Sequence, residues 1–182
     1  PVICCFFYCA TLAQWSLTGN AGTNPSTHFV GTTDNQGLRF RINNGHAGLL
    51  SNDNTYFGRA AGINATGFGN SAFGVEALNT SNTSNYNTAL GWRSLYYNTS
   101  GYLNTATGSA AMIMNTTGNH NTATAYYALG DNRTGTHNTG CGFQALGFAY
   151  SGNSNTAVGA FAAGSNSEGN SVVAVGIHAL NW

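Results

Sequence analysis

This sequence predicts an all-β fold, a parallel β-solenoid or β-roll built from 17-residue coils, and three observations carry the prediction. A motif close to Asn-Thr-Ala-x-Gly returns every 17 residues through the C-terminal part of the chain. Only 5% of the 182 residues are charged and the formal net charge is zero, against roughly 25% charged in an ordinary soluble domain. Small and amide side chains stand where charge would be, with 25 glycines and columns of Ala, Asn and Thr.

The same composition excludes several functions. Five scattered Arg, no Lys and a pI near 7.4 make no basic stripe for phosphate neutralisation, so no nucleic-acid partner is expected. Bulk disorder is disfavoured because 42% of residues are hydrophobic and net charge is absent.

Residues 1–14 open with Pro1, and the apolar run from Val2 to Ala13 leads into Thr11-Leu12-Ala13. This reads as the core of a truncated secretory signal peptide with a small-residue cleavage site after Ala13 or Gln14, a buried N-terminal strand being the competing reading. A run of about 12 residues is too short to span a bilayer, so no membrane insertion of the mature chain is expected. Cys4, Cys5 and Cys9 lie within it. The mature chain then keeps Cys141 alone, without an intrachain disulfide.

Residues 15–50 form an N-terminal β segment. Gly, Asn and Pro clusters mark turns between Trp15 and Gln36. From Leu38 to Ile42, Leu38, Phe40 and Ile42 alternate with Arg39 and Arg41, the period of a half-buried strand with its arginines on a solvated face.

Residues 51–182 carry the repeat, about eight coils, the last broken off at Trp182. Its anchors are Asn70, Asn87, Asn104, Asn121, Asn138 and Asn155, with Asn54 one 16-residue step earlier and Val172 continuing the series. The consensus is N-T-A-x-G-x-x-A-L-x-x-N-T-T-G-x-x, numbered below from the anchor. A period this short fits neither helix pairs nor propeller blades. It fits stacked coils that bury their apolar faces on one another, each advancing by about 4.8 Å and supplying two short strands. Segments such as Asn98-Thr-Ser-Gly101 and Asn115-Thr-Thr-Gly118 read as the left-handed corners of the coil.

Stacking in register explains the missing charge, since like charges would recur one above the next. It also turns the anchors into an amide ladder of Asn54, Asn70, Asn87, Asn104, Asn121, Asn138 and Asn155. Position three is small (Ala72, Ala89, Ala106, Ala123, Gly140, Ala157), as is position eight. Bulk concentrates at position nine, an apolar column of Leu78, Leu95, Met112, Leu129, Leu146 and Leu180. Position six adds Val75, Trp92, Tyr126, Phe143 and Ile177. A thin coil cannot enclose all of these, which predicts that part of the apolar set faces another chain, most simply in a homotrimer. A monomeric rod with exposed aromatics is the competing arrangement.

The coils resemble the head repeats of trimeric autotransporter adhesins, whose N-S-x-A-x-G units are shorter, so their register does not transfer. A nearer resemblance is to repeat-bearing tail-fibre-like proteins of bacteria and phages. These combine W-x-L-x-G-N-A-G-T-N-P and G-T-T-D-N-Q segments with N-T-A-x-G-x-x-A-L repeats. Both opening segments stand here, at Trp15 to Pro25 and Gly31 to Gln36, so the likeness covers residues 15–182. In that family a self-cleaving chaperone domain with a Ser/Lys dyad commonly follows the fibre, but with no Lys in this chain that activity does not carry over. The resemblance implies a secreted or cell-surface bacterial fibre, or a component of a phage-like particle, that mediates attachment or display through a host-surface or glycan ligand.

No catalysis, cofactor or metal is expected. Asp34, Asp53, Glu76, Asp131 and Glu168 show no pairing at a spacing suited to acid and base work. Residues 140–145 match a dinucleotide-binding G-x-G-x-x-A pattern, but inside a repeat and without a βαβ unit. His120 and His137 share a column and should stack about 4.8 Å apart as solvated turn residues. Cys141 occupies a small-hydrophobe position. The Thr column (Thr55, Thr88, Thr105, Thr122, Thr139, Thr156) raises an alternative function, ice binding on a flat Thr-bearing face, although position four supplies only an irregular second rank.

Overall fold

The computed structural model describes Asn24 and residues 30–80, 83–166 and 168–181; the expected signal segment 1–14 and most of 15–29 lie outside the described residues. From Asn35 onward the chain forms one compact unit. It carries ten strands in one sheet whose spatial order follows the sequence. β1 (Leu38–Ile42) and β2 (Gly45–Leu50) form an antiparallel hairpin. β2 pairs antiparallel with β3 (Thr55–Phe57), after which every pairing is parallel. The parallel series continues through β4 (Ser71–Phe73), β5 (Thr88–Leu90), β6 (Thr105–Thr107), β7 (Thr122–Thr124), β8 (Thr139–Cys141), β9 (Thr156–Val158) and β10 (Val173–Val175). Thr88 pairs with Thr105 and Thr105 with Thr122, the 17-residue register of a parallel β-solenoid.

Each coil holds one three-residue strand, not the two expected. The rest of the coil bends through left-handed backbone, which no strand can contain, yet it remains hydrogen-bonded to its neighbours. Position seven donates to the carbonyl at position six of the preceding coil, as in Arg93 to Val75 at 3.0 Å. Position nine donates to position eight of the next, as in Leu95 to Ala111 at 3.0 Å. These bonds satisfy main-chain groups that a coil with a short sheet would otherwise bury unpaired.

The left-handed corners also fall elsewhere than expected. Asn98, Asn115, Gly101 and Gly118 are not left-handed; positions seven, nine and seventeen are, with Arg93 at φ 53°, Leu95 at 50° and Leu103 at 55°. Such a conformation costs a residue with a Cβ about 1–2 kcal/mol. Burying a leucine contributes about as much, and the intercoil hydrogen bond adds to it, so at position nine packing overrides backbone preference. Position five is the glycine column, at φ 122° to 139° from Gly58 to Gly176. Ala125 alone interrupts it, at φ 108°.

The core is narrow because the sequence made it of unequal partners. Alanines at positions three and eight are buried, Ala179 of the last coil only partly, and Leu78, Leu95, Met112, Leu129 and Leu146 at position nine fill the space they leave. Leu180 departs from this column, 38% exposed. The first coil reverses the assignment: Tyr56 takes position three and Gly62 position nine, where a Cβ would meet the Tyr56 ring at 2.6 Å. The exchange keeps the volume of the layer, but the Tyr56 hydroxyl is buried without a hydrogen-bond partner.

Burial pushes the Tyr56 phenol up to about 12, and burial together with Asp131 does the same for Tyr127. A folded-state value above the ordinary 10 means the native form holds its proton longer. The associated stability is complete below pH 10 and is lost as pH rises from 10 to 12. For the buried Tyr56 the loss amounts to about 3 kcal/mol. Tyr56→Phe is therefore expected to melt at or slightly above the wild-type temperature at pH 7, since an unsatisfied hydroxyl leaves the core. In pH-dependent denaturation it should also withstand pH 11 better than the wild type.

The alternation in β1 holds in part: Arg39 and Arg41 are exposed as expected and Leu38 is half-buried, but the other two apolar residues are not covered. Phe40 is 36% and Ile42 77% exposed. Phe40 belongs to the outer face of the sheet, where its ring lies 5.2 Å from Phe57 and that of Phe57 5.9 Å from Phe73. Arg39 instead continues the inward column through Leu49 and Tyr56.

Candidate functional surface

The anchor asparagines are interior structure. Asn70, Asn87, Asn104, Asn121, Asn138 and Asn155 are buried, while Asn54 is half-buried. Each Oδ1 accepts the backbone N–H of the next anchor, as from Asn104 to Asn87 and from Asn121 to Asn104, both at 3.0 Å. Each Nδ2 donates across its own coil, Asn104 to the Gly118 carbonyl at 2.8 Å. These anchor amides are tolerated in a core this thin because each is paired at both its oxygen and its nitrogen.

A second buried ladder was hidden in the segments read as corners. Asn115 Nδ2 donates to Asn98 Oδ1 at 2.7 Å, and Asn132 Nδ2 to Asn115 Oδ1 at 2.9 Å. The 17-residue spacing of Asn98, Asn115 and Asn132 was the signal; the Asn-x-x-Gly pattern, equally suited to a turn, masked it. A third, outer row serves Asn85, Asn119, Asn153 and Asn170, whose Oδ1 atoms accept backbone N–H groups of the preceding coil, as from Tyr102 to Asn119 at 3.0 Å. Because ladder side chains spend their hydrogen bonds on the coil stack, they have little left for a ligand.

The outer surface is what can meet a partner. On the strand face, positions two and four point outward. Thr88, Thr105 and Thr122 are exposed, whereas Thr55, Thr139 and Thr156 are half-buried. Position four carries exposed Phe73, Leu90, Thr124, Cys141 and Val158, with Thr107 half-buried. Cys141 is thus a surface thiol. Thr105, Thr107, Thr122 and Thr124 make a two-by-two hydroxyl patch across adjacent paired strands.

Around the corner, position six presents Trp92 (47% exposed), Tyr126 (47%) and Phe143 (43%). Rings run on from coil to coil: Tyr126 stacks on Phe143 at 5.3 Å, Phe143 meets Phe161 edge-on at 5.1 Å, and Phe161 stacks on His178 at 4.8 Å. In the seventeenth column, His120 and His137 stack at 4.7 Å with rings 4° from parallel, close to one coil step.

Charge obeys the stacking rule. Arg59, Glu76 and Arg93 follow one another at 17-residue steps with alternating sign, Glu76 reaching Arg59 at 3.0 Å and Arg93 at 2.7 Å. The Arg93 guanidinium holds the Glu76 carboxyl below the usual carboxylate range. Arg93 also lies 4.7 Å from the Trp92 ring centre. Glu76 is accordingly an ion-pair partner in a surface column. Residues 140–145 sit on β8 and the turn after it, with no helix to receive a phosphate. Among the described residues, no group of three or more His, Cys, Asp or Glu side chains is placed to hold a metal, and no helix is long and apolar enough to cross a membrane. Comparison with protein-family models, with curated proteins and with solved structures finds no match in any of the three.

Proposed function

We propose that the chain is a structural and adhesive segment of a secreted or surface-exposed fibre, assembled as a homotrimer, that displays or attaches without catalysis. One observation carries the reading: the apolar residues too many for the core recur on the outside of four of the coils. Phe73 and Leu90 at position four, and Trp92, Tyr126 and Phe143 at position six, are each between 41% and 48% exposed. Exposed apolar side chains recurring on one side of a rod mark an interaction site, and Tyr, Trp and Phe are the residues interfaces favour. The solenoid presents these sites on one side along its length, interrupted by Ser109 at position six and by Thr107 and Thr124 at position four, which suits three parallel copies around one axis and a ligand held by many weak contacts. The resemblance to tail-fibre-like repeats and adhesin heads points the same way. Light scattering on the purified chain should return the mass of three chains, and Phe143→Ser combined with Trp92→Ser should lower it; a monodisperse wild-type monomer would overturn the reading.

A second reading, ice binding, is favoured by the hydroxyl patch of Thr105, Thr107, Thr122 and Thr124. Its paired ranks extend over two coils only, with Leu90 and Cys141 at the flanking position-four sites. Thermal hysteresis and faceted ice in the presence of the protein would establish it, and ordinary ice growth would remove it.

A further inference from the structure

The five arginines are not equally provided for. Arg59 and Arg93 share Glu76, and Arg133 lies 5.5 Å from the Tyr150 ring centre. Arg39 and Arg41, two residues apart on the same face of β1, meet no carboxylate among the described residues. The Arg41 guanidinium donates to Asn44 Oδ1 at 2.7 Å. Their face continues the inner face of the coils, but both side chains are exposed. Arg39 pairs across the hairpin with Leu49, and a bulge after Phe40 sets Arg41 opposite His46. Where a further coil would lie beneath β1 there is a cleft of about 280 Å³ between the hairpin and residues 62–65 of the first coil. Arg39, Arg41, Asn44 and His46 line it with Leu49 and Ile63.

Two uncompensated cations about 6.6 Å apart along a strand repel one another. Two guanidiniums lining one cleft without a carboxylate beside them make it a place for an anion. We propose that this cleft binds a small anionic group, a carboxylate or phosphate carried on a body no larger than about one sugar residue. The two guanidiniums would grip the anionic oxygens with charge-assisted, fork-like hydrogen bonds. The Asn44 amide already holds one guanidinium in place, and Leu49 and Ile63 offer the body an apolar wall. The volume falls just under the roughly 300 Å³ at which drug-sized pockets begin, which excludes a long chain segment. The site lies within a single chain and stands independently of the trimer and of the fibre reading.

Titration of the purified chain at low salt with inorganic phosphate, with glucuronate and with neutral glucose tests it. Saturable binding of at least one anion and none of glucose is expected. Arg39→Gln and Arg41→Gln should each weaken that binding about tenfold or more while leaving the melting transition unchanged. Glucuronate alone would assign a carboxylate-bearing sugar, phosphate alone a phosphorylated group, and both a general anion site. In the wild type, which needs no folded variant, the His46 ring and Ile63 methyl resonances should shift with the bound fraction. Absence of saturable binding of either anion, binding undiminished in both variants, or unmoved His46 and Ile63 signals would overturn the proposal.

Discussion

Asn104→Ala is expected to destabilise the solenoid by about 3 kcal/mol, measured by denaturant or thermal unfolding. The change removes the Oδ1 that accepts the backbone N–H of Asn121 at 3.0 Å, and with it a contact from the Asn121 amide at 3.1 Å. Asn121 is buried, so its N–H is left without water or partner, and orphaning such a group costs about 1–3 kcal/mol. The loss of the 2.8 Å bond to Gly118 and the void left by the side chain add to this. Asn104→Asp distinguishes amide chemistry from side-chain shape. A carboxylate still accepts from Asn121, but it confronts the Gly118 carbonyl and Asn87 Oδ1, to both of which the amide donates. Its folded-state pKa should therefore rise above the unfolded one. Because the native form then binds its proton more readily, the variant should gain stability as pH falls. Asn119→Ala in the outer row, half-buried and with its donor on the exposed Tyr102, lets water replace the lost acceptor and should cost under about 1 kcal/mol. An equal cost at positions 104 and 119 would contradict the distinction between buried and outer ladders.

Gly91→Ala should be at least as damaging, about 4 kcal/mol or outright failure to fold. At φ 133° the backbone is in a region L residues rarely adopt, and an added Cβ would lie 2.5 Å from the carbonyl oxygen of Gly108 in the next coil. Backbone blocks it on one side and the coil spacing on the other, so relief requires the stack to open. The reverse experiment is available in the same column: Ala125, at φ 108°, occupies a site that is glycine in every other described coil. Ala125→Gly should therefore stabilise by about 1 kcal/mol, contrary to the usual loss when a glycine enters a chain. A paired melting series reads both signs; a stabilising Gly91→Ala would show that the column's glycines are incidental.

Some of this architecture could be read from residues alone and some could not. The 17-residue register, the small residues at positions three and eight and the anchor ladder were legible because a parallel stack places each residue over its counterpart, so any structural demand recurs as a column. The exposure of Trp92, Tyr126 and Phe143 followed from volume, since a coil lined by Ala has no room for them. The corners were not legible. Leu95 and Arg93 are not residues that announce a left-handed backbone, and they adopt it because burial and an intercoil hydrogen bond exceed the local penalty. Asn98, Asn115 and Asn132 do announce a turn, yet they form the second ladder, since a carbonyl of their own coil and an amide of the next were in reach. In β1, alternation showed which residues share a face but not which face turns inward; register with β2 and β3 placed Arg39 on the inner side and Phe40 on the outer.

The repeat, the parallel stacking and the neutral surface follow from period and composition, which are properties of the chain that stacking merely copies from coil to coil. The tertiary structure alone decided which amides lie inside, where the backbone turns left-handed and which side of the hairpin carries two unpaired arginines over an open cleft. Those choices depend on hydrogen-bond partners 13 to 17 residues away, and local residue preference, worth about 1 kcal/mol, is too weak to make them.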